Sequence, residues 1–354
     1  MQDDIDEDED YDKKMFYKEC KNYNYLPTIL PAVKRIVVIG DLHGDYELTF
    51  KTLLKAEVIN AKMEWIGGDT VVVQTGDQID RCRPYKYSCD HILATKNDEA
   101  SDIKILRLFT KLHDQALKKG GGVYSLLGNH ELMNVLGNLN YVSHKGLEEF
   151  QNYKDPTTGL IIADGKAARK YAFSPGNELA KFLGCTRISA LIVGSFLFVH
   201  AGILPEATKI LNINSREALI KINYLIRKWL LGLINKDFVD KIIESSEHSF
   251  FWNRILGNIP PNVNNNDERC LNYLAPILRL FKVNSMIIGH TPQAFSHQKG
   301  INSTCDQKLW RIDSGSSKAF NDFDENYKET GEIMELRHIQ LLEIINDSKI
   351  NIIK

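Results

Sequence analysis

Five short apolar runs in this chain end in a glycine or another small residue and are followed at once by polar side chains. They lie in RIVVIGDLHGD (35–45), TVVVQTGDQIDR (70–81), GVYSLLGNHE (122–131), LFVHAG (197–202) and SMIIGHTP (285–292). Short apolar runs rich in β-branched residues are typical of buried strands. Segments with helical spacing of apolar residues, 46–59 and 102–120, separate the first three runs. This alternation predicts crossover units and a sheet that is largely parallel at its start.

The second half of the chain supplies further strands with a different connection pattern. The segment ALIVGSFLFVH (190–200) carries Gly194 between two apolar runs, which predicts a β-hairpin. Segments 308–315 and 337–354 predict additional strands. Their sum is an α/β fold in which helices lie outside a pair of mixed sheets.

The N-terminal end has a different composition from the remainder. Its first residues, MQDDIDEDEDYD, contain eight acidic side chains and no basic one. Such a segment has little apolar surface to offset the entropy lost on ordering. We therefore expect a disordered acidic segment over 1–30 and a single domain over 31–354. The acidic segment is a candidate site for a basic partner, or a solubilising tail.

The apolar runs and the cysteine spacing predict the cellular compartment and the state of the cysteines. No apolar run approaches the ~20 residues that a membrane helix needs, and no basic region followed by an apolar one opens the chain. The six cysteines include no Cys-x-x-Cys pair. These patterns predict a cytoplasmic protein with free thiols and no membrane partner. An alternative is that Cys82, Cys89 and His91 form a redox or zinc element.

The polar residues that follow the strands share one chemistry. They are Asp41 and His43; Asp77, Asp80 and Arg81; Asn129 and His130; His200; and His290. Each alone has a structural explanation, such as a turn, a helix cap or a hydrogen-bonded core histidine. Loops that leave the carboxyl ends of neighbouring strands converge, however, and carboxylate, imidazole and amide ligands together suit a borderline divalent metal. The pattern therefore favours metal-dependent hydrolysis.

The ordered motifs GDLHGD, GDQIDR, GNHE, HAG and GHT resemble those of the calcineurin-like metallophosphoesterases, and within them the phosphoprotein phosphatase family. The resemblance is closest to the Shewanella-like protein phosphatases, through WIGGDTVVVQTGDQIDR, VYSLLGNHELMN, FWNR, GHTPQ and KLWRIDSGSS. It covers roughly residues 34–345. It implies a four-layer α-β-β-α sandwich with two mixed sheets.

The resemblance also implies a role for each motif residue. Two divalent ions (Mn, Fe or Zn, with Mn expected in vitro) would be held by Asp41, His43 and Asp77, and by Asp77, Asn129, His200 and His290, with Asp77 bridging. The implied general acid is His130, paired with Asp80. The implied phosphate ligands are Arg81, Asn129 and, from FWNR, Arg254. Glu131 is expected to support the start of a helix rather than to bind metal.

The implied activity is hydrolysis of a phosphomonoester by in-line attack of a metal-bridging hydroxide. The expected substrate is a phosphoprotein or phosphopeptide carrying phosphoserine, phosphothreonine or phosphotyrosine, with no requirement for nucleic acid. A small-molecule phosphoesterase, such as a dinucleoside polyphosphate hydrolase, is the alternative enzyme. A catalytically inactive binding module is the alternative from another class. Tyr141 and His144 are candidates either for the substrate groove or for helix packing.

Overall fold

The computed structural model describes residues 2–296 and 299–354, with the backbone alone for residues 2–8. The strands are β1 (Ile29–Leu30), β2 (Arg35–Ile39), β3 (Val71–Gln74), β4 (Gly122–Ser125), β5 (Tyr153–Lys154), β6 (Ile161–Ile162), β7 (Ala190–Val193), β8 (Phe196–Val199), β9 (Ser285–Ile288), β10 (Asn302–Thr304), β11 (Leu309–Arg311), β12 (Leu341–Ile345) and β13 (Lys349–Ile353). All the main runs of the sequence analysis are strands.

The helices lie mainly between strands of the same sheet. They are α1 (Gln2–Glu19), α2 (Tyr46–Lys55), α3 (Asp102–Leu117), α4 (Asn129–Val135), α5 (His144–Glu148), α6 (Gly165–Phe173), α7 (Glu178–Thr186), α8 (Pro205–Ile210), α9 (Ala218–Leu230), α10 (Asp240–Ile243), α11 (Ala275–Phe281) and α12 (Glu325–Thr330). Across the ranges that the structure describes, none of the helices combines the length and apolarity needed to cross a bilayer.

Two large mixed sheets form the centre of the domain. One has the strand order β13-β12-β2-β3-β4, and the other has the order β1-β7-β8-β9-β11-β10. In the first, β2, β3 and β4 run parallel and β12 is antiparallel to β2. In the second, β8, β9 and β11 run parallel, and the predicted hairpin joins β7 to β8. The carboxyl ends of both parallel sets therefore carry the loops singled out in the sequence.

Alternating side chains divide the core into layers. Val38 of β2 packs with Phe198 of β8 in the apolar core between the sheets. The next residue back along β2, Val37, faces the other way and packs with Leu53 of α2, because successive strand residues point to opposite faces. On the far side, Leu197 of β8 packs with Ile226 of α9. The predicted four-layer α-β-β-α sandwich with two mixed sheets is confirmed.

The N-terminal segment differs from its predicted disorder. Residues Gln2–Glu19 form a helix, and Phe16 is fully buried in a small core with Cys185 and Leu231. The acidic composition concealed this docking, because the apolar residues that drive it lie near the end of the helix. The further stretch to residue 30 includes strand β1, which pairs with β7. Binding of a basic partner by this segment stays a prediction.

A buried ion pair ties α1 to α9. The carboxylate of Asp12 accepts hydrogen bonds from the Arg227 guanidinium and from the hydroxyl of Tyr25. The Arg227 guanidinium lies between the rings of Phe16 and Tyr25, at 5.2 and 5.7 Å from their centroids. Both charged side chains are shielded from water, so each depends on the other for compensation.

Substitution of Asp12 by alanine is expected to lower the free energy of unfolding by about 3–5 kcal/mol, because it leaves the Arg227 charge buried and unpaired. Urea unfolding followed by circular dichroism measures this change. Asp10→Ala, at an exposed position on the same helix, is the matched control and should lie within about 0.5 kcal/mol of wild type. Equal stabilities for the two variants would contradict a structural role for the pair.

All six cysteines are paired, so the prediction of free thiols is wrong. The disulfides join Cys20 to Cys185, Cys82 to Cys89 and Cys270 to Cys305. The zinc alternative for Cys82, Cys89 and His91 does not describe the structure either. The two cysteines bond to one another, and His91 stacks on Tyr87 with ring centroids 4.4 Å apart.

Candidate metal centre

The strand-end residues of the first sheet converge because β2, β3 and β4 are parallel neighbours. Asp41 and His43 follow β2, Asp77 and Asp80 follow β3, and Asn129 begins α4 just beyond β4. Loop-to-loop hydrogen bonds fix their relative position. The amides of Leu42 and His43 both donate to the Asp77 carbonyl at 2.9 Å.

The second sheet supplies two histidines to the same place. His200 follows β8 and His290 follows β9, and these two strands are parallel neighbours. His200 Nε2 and His290 Nδ1 lie 3.0 and 2.9 Å from Asn129 Oδ1. His200 Nε2 also lies 3.4 Å from Asp77 Oδ2. Ligand-type side chains from both sheets therefore meet in one cluster.

Asp77 belongs to two groups of side chains that could each hold a metal ion. One group is Asp77, His200 and His290, and the other is Asp77, His43 and His130, with the donor atoms of each group within 4.8 Å of one another. Asp41 lies beside the second group, because His43 Nε2 is 3.9 Å from both Asp41 Oδ2 and Asp77 Oδ2. The structure thus brings together all six residues that the resemblance assigned to metal.

Four site residues that are not glycine have left-handed backbone conformations. His43, Asp77, Asp80 and His290 have φ values of 46°, 54°, 72° and 66°. Non-glycine residues rarely adopt this left-handed region, and such residues cluster at functional sites. Gly128 allows the Asp77 carboxylate to pack against the backbone, since a Cβ at this position would lie 2.1 Å from Asp77 Oδ1.

The chemistry of the donor set fits divalent cations. Among the described side chains, Asp41 Oδ1 and His290 Nε2 are buried polar atoms without a hydrogen-bond partner. Burial, with the negative charges of Asp313 and Asp77, raises the pKa of Asp41 well above its ordinary value. Carboxylates crowded in this way are stabilised by a bound cation.

Two of the site histidines, His43 and His290, have lowered pKa values that favour the neutral imidazole. Burial, and then the positive charge of Arg83, holds the pKa of His43 well below its usual range. Burial, and then the charge of His200, lowers the pKa of His290 in the same sense. Neutral imidazole is the form that binds metal, so His43 and His290 are suited to act as ligands at neutral pH.

His130 is oriented by a carboxylate on the side away from the metal-binding groups. Its Nδ1 lies 2.7 Å from Asp80 Oδ2, and its Nε2 lies 3.9 Å from Asp77 Oδ2. Asn134, one turn further along α4, donates to the other Asp80 oxygen at 2.9 Å. The imidazole is therefore held with Nε2 toward the site.

Three supporting residues were missed by the sequence analysis. Asn134 accepts a hydrogen bond at 2.9 Å from the buried Arg169, which continues the chain of contacts behind Asp80. Asp313 is buried near Asp41, and burial raises its pKa to about 6. Asn134 lies four residues after His130 at the end of VYSLLGNHELMN, and Asp313 lies within KLWRIDSGSS, so both stood in segments that carry the resemblance. Arg169 lies in a segment without a recognisable motif.

Glu131 has the supporting role expected of it. Its carboxylate accepts hydrogen bonds from the amides of Gln78 at 2.8 Å, Asp77 at 3.0 Å and Gly128 at 2.7 Å. These contacts bind the loop after β3 to the start of α4. The side chain thus positions Asp77 without entering the metal-binding groups.

A cavity of about 1010 Å³ opens above the cluster. Its lining includes the site residues His43, Asp77, Asn129, His130 and His290, the cations Arg83 and Arg254, and the rings of Tyr141, Trp252, Phe295, Phe320 and Phe323. Tyr141 therefore belongs to the groove. His144 instead contacts the Asp90 carbonyl at 2.8 Å and Glu148 at 3.2 Å.

The two arginines that the resemblance assigned to phosphate lie in different places. Arg254 lines the cavity, and its Nη1 donates to the His290 carbonyl at 3.3 Å. Arg81 lies in a separate small crevice with Lys96, whose carbonyl is 3.5 Å from Arg81 Nη2. Of the two, the lining of the large cavity therefore includes Arg254 and not Arg81.

Comparisons with known proteins agree with this geometry. Residues 34–294 match the calcineurin-like phosphoesterase family. The chain is 30% identical over 326 residues to Shewanella-like protein phosphatase 2 of Arabidopsis thaliana, which covers 84% of this chain and 75% of that protein. It is 40% identical over 253 residues to an uncharacterized protein of Acanthamoeba polyphaga mimivirus, covering 68% and 98% of the two chains.

A solved structure shares the fold. The crystal structure of the cold-active protein-tyrosine phosphatase of a psychrophilic Shewanella species superposes with a TM-score of 0.61 and 20% sequence identity. The match covers 94% of this chain and 83% of that one. At this level of identity the likeness extends to the architecture alone.

Proposed function

The chain belongs to the calcineurin-like phosphoesterase family, and from that premise we propose that it is a metal-dependent phosphatase of phosphoproteins. The observation that carries the proposal is the sharing of Asp77 between two groups of metal-binding side chains on the floor of a large cavity. A carboxylate shared by two groups of this kind is suited to hold two neighbouring ions.

Two divalent ions, drawn from Mn, Fe and Zn, are the proposed cofactors. The first would be held by Asp41, His43 and Asp77, and the second by Asp77, Asn129, His200 and His290. Such a pair would stabilise negative charge on the phosphoryl oxygens and would lower the pKa of a bound water, so that hydroxide is available near neutral pH. Oxygen and nitrogen donors without cysteine suit these metals.

His130 is the proposed general acid. The Asp80 carboxylate, 2.7 Å from His130 Nδ1, is positioned to accept a hydrogen bond from that nitrogen and orients the ring. Nε2 then remains as the atom that delivers a proton to the leaving oxygen of the substrate. Asn134 and Arg169 hold Asp80 in the orientation that this contact needs.

The form of the cavity supports a peptide side chain as substrate. Its volume of about 1010 Å³ exceeds what a phosphoryl group fills, and its lining includes aromatic side chains that can pack on a peptide. The Arabidopsis relative is named as a protein phosphatase. We propose phosphoserine, phosphothreonine and phosphotyrosine residues as the substrate class.

The purified protein should release phosphate from phosphopeptides in the presence of Mn²⁺ and lose this activity after treatment with a chelator. Phosphoserine, phosphothreonine and phosphotyrosine peptides are assayed beside dinucleoside polyphosphates, with Fe²⁺ and Zn²⁺ as further metals. Hydrolysis of the nucleotides alone would replace the proposed substrate with a small molecule. Failure to hydrolyse any phosphoester with any of the three metals would contradict an enzymatic function.

A further inference from the structure

The arginine that reaches the cavity floor is Arg83, two residues beyond Arg81. Its Nη2 lies 2.9 Å from both ring nitrogens of His43, and the side chain lines the cavity with Asp77 and His130. The Arg81 guanidinium lies in the crevice behind this loop. The segment Cys82-Arg83-Pro84 thus presents a guanidinium to the site.

Arg83 is held in this position by its own loop and by two rings. Its Nη1 donates to the carbonyls of Asp80 at 3.2 Å and Cys82 at 2.9 Å. Its guanidinium lies 4.7 Å from the Phe320 centroid and 5.4 Å from that of Tyr141. The disulfide from Cys82 to Cys89 anchors the loop on the other side. A preorganised guanidinium is the form that binds an anion with least entropy lost.

The surroundings of Arg83 call for an anionic partner. A guanidinium beside side chains that hold divalent cations is repelled by those cations unless an anion lies between them. His43 also cannot accept a hydrogen bond from Arg83 through a nitrogen whose lone pair binds metal. A phosphate oxygen would replace that acceptor, and a guanidinium matches two such oxygens at once.

We propose that Arg83, rather than Arg81, binds the phosphoryl group of the substrate from the His43 side of the cavity, while Arg254 binds it from the His290 side. This inference rests on the proposed function, because it assigns a substrate contact at the same site. It replaces the arginine implied by the family motif with one that this chain carries two positions later.

The test compares Arg83→Gln with Arg81→Gln in the metal-loaded protein. The affinity for inorganic phosphate is measured by titration calorimetry, KM and kcat with p-nitrophenyl phosphate, and bound metal by elemental analysis. Arg83→Gln is expected to weaken phosphate binding and raise KM by about 10- to 100-fold, with metal content unchanged, since it removes charge-assisted hydrogen bonds. Arg81→Gln should leave phosphate affinity within about threefold of wild type.

Two further variants keep the result interpretable. Arg107→Gln, an exposed position on α3, controls for loss of a positive charge far from the cavity. Arg83→Lys keeps the charge without the planar fork and should bind phosphate with intermediate affinity. If Arg83→Gln does not fold, the phosphate affinity of Arg83→Lys still tests the role of the guanidinium.

Three outcomes would overturn the inference: wild-type phosphate affinity in Arg83→Gln, a greater loss of affinity in Arg81→Gln, or loss of metal in Arg83→Gln in proportion to loss of phosphate. The third would mean that Arg83 acts by holding His43. Phosphate binding that depends on Arg83 in a protein that hydrolyses no phosphoester would defeat the proposed function and support this inference.

Discussion

Replacement of Asp77 by asparagine is expected to reduce turnover of a phosphopeptide by about 10³-fold or more and to lower the content of bound metal. Asparagine preserves the shape of the side chain but removes the negative charge that both groups of metal-binding residues share. Loss of several kcal/mol of charge stabilisation in the transition state corresponds to a rate decrease of about this size. Turnover is measured beside elemental analysis of the dialysed protein.

The matched control for Asp77→Asn is Asp237→Asn, the same change at an exposed position away from the site. It should retain wild-type turnover and metal content. Thermal unfolding of both variants establishes that each is folded. Full metal occupancy and turnover in folded Asp77→Asn would show that Asp77 does not join two ions, and the binuclear proposal would then fail.

Substitution of His130 by alanine should lower turnover of a phosphothreonine peptide by about 10²- to 10⁴-fold, the range for loss of a general acid. The structure makes metal content the decisive companion measurement, because His130 lies within one of the two groups that could hold an ion. If His130 donates a proton and does not bind metal, the variant keeps its full complement of ions.

Comparing two leaving groups provides a second test of the role of His130 with the same variant. A p-nitrophenolate ion leaves without a proton, so His130→Ala should lose much less activity on p-nitrophenyl phosphate than on the peptide. His338→Ala, which removes an exposed histidine, is the control. Equal losses on the two substrates, or loss of metal together with activity, would assign His130 to metal binding.

The parts of the fold that could be predicted are those set by local pattern. The runs that became β2 and β3 are continuous and rich in β-branched residues because both faces of each strand are covered, one by the other sheet and one by helices. The site residues could be found because they stand immediately after such strands. Parallel neighbours then bring together the residues that follow strands of the same sheet.

Long-range pairing lay beyond the sequence. Cys20 and Cys185 are 165 residues apart, and the order of cysteines along a chain does not determine which pairs form. Their bonding, and that of the other four cysteines, removes the free thiols that were predicted, and the cytoplasmic location stays a prediction. Disulfides are typical of proteins that fold under oxidising conditions.

Side-chain direction was the second feature that pattern could not supply. The motif identifies Asp80 and Arg81 but does not give the direction of their side chains. Asp80 adopts a left-handed conformation with φ of 72°, which a sequence motif does not specify. The crevice that receives the Arg81 guanidinium is formed in part by residues 94–97 and by Lys318. No spacing rule connects those segments, so the exchange of Arg81 for Arg83 became visible only in three dimensions.

The proposed ligands are divided between the two sheets: Asp41, His43, Asp77 and Asn129 come from one, and His200 and His290 from the other. Neither sheet alone therefore contains the full set of proposed ligands. Hydrolytic activity depends on the sheets docking in register. Altered packing at a position such as Phe198, which lies in the core between the sheets and not in the cavity lining, would therefore lower activity before the chain unfolds.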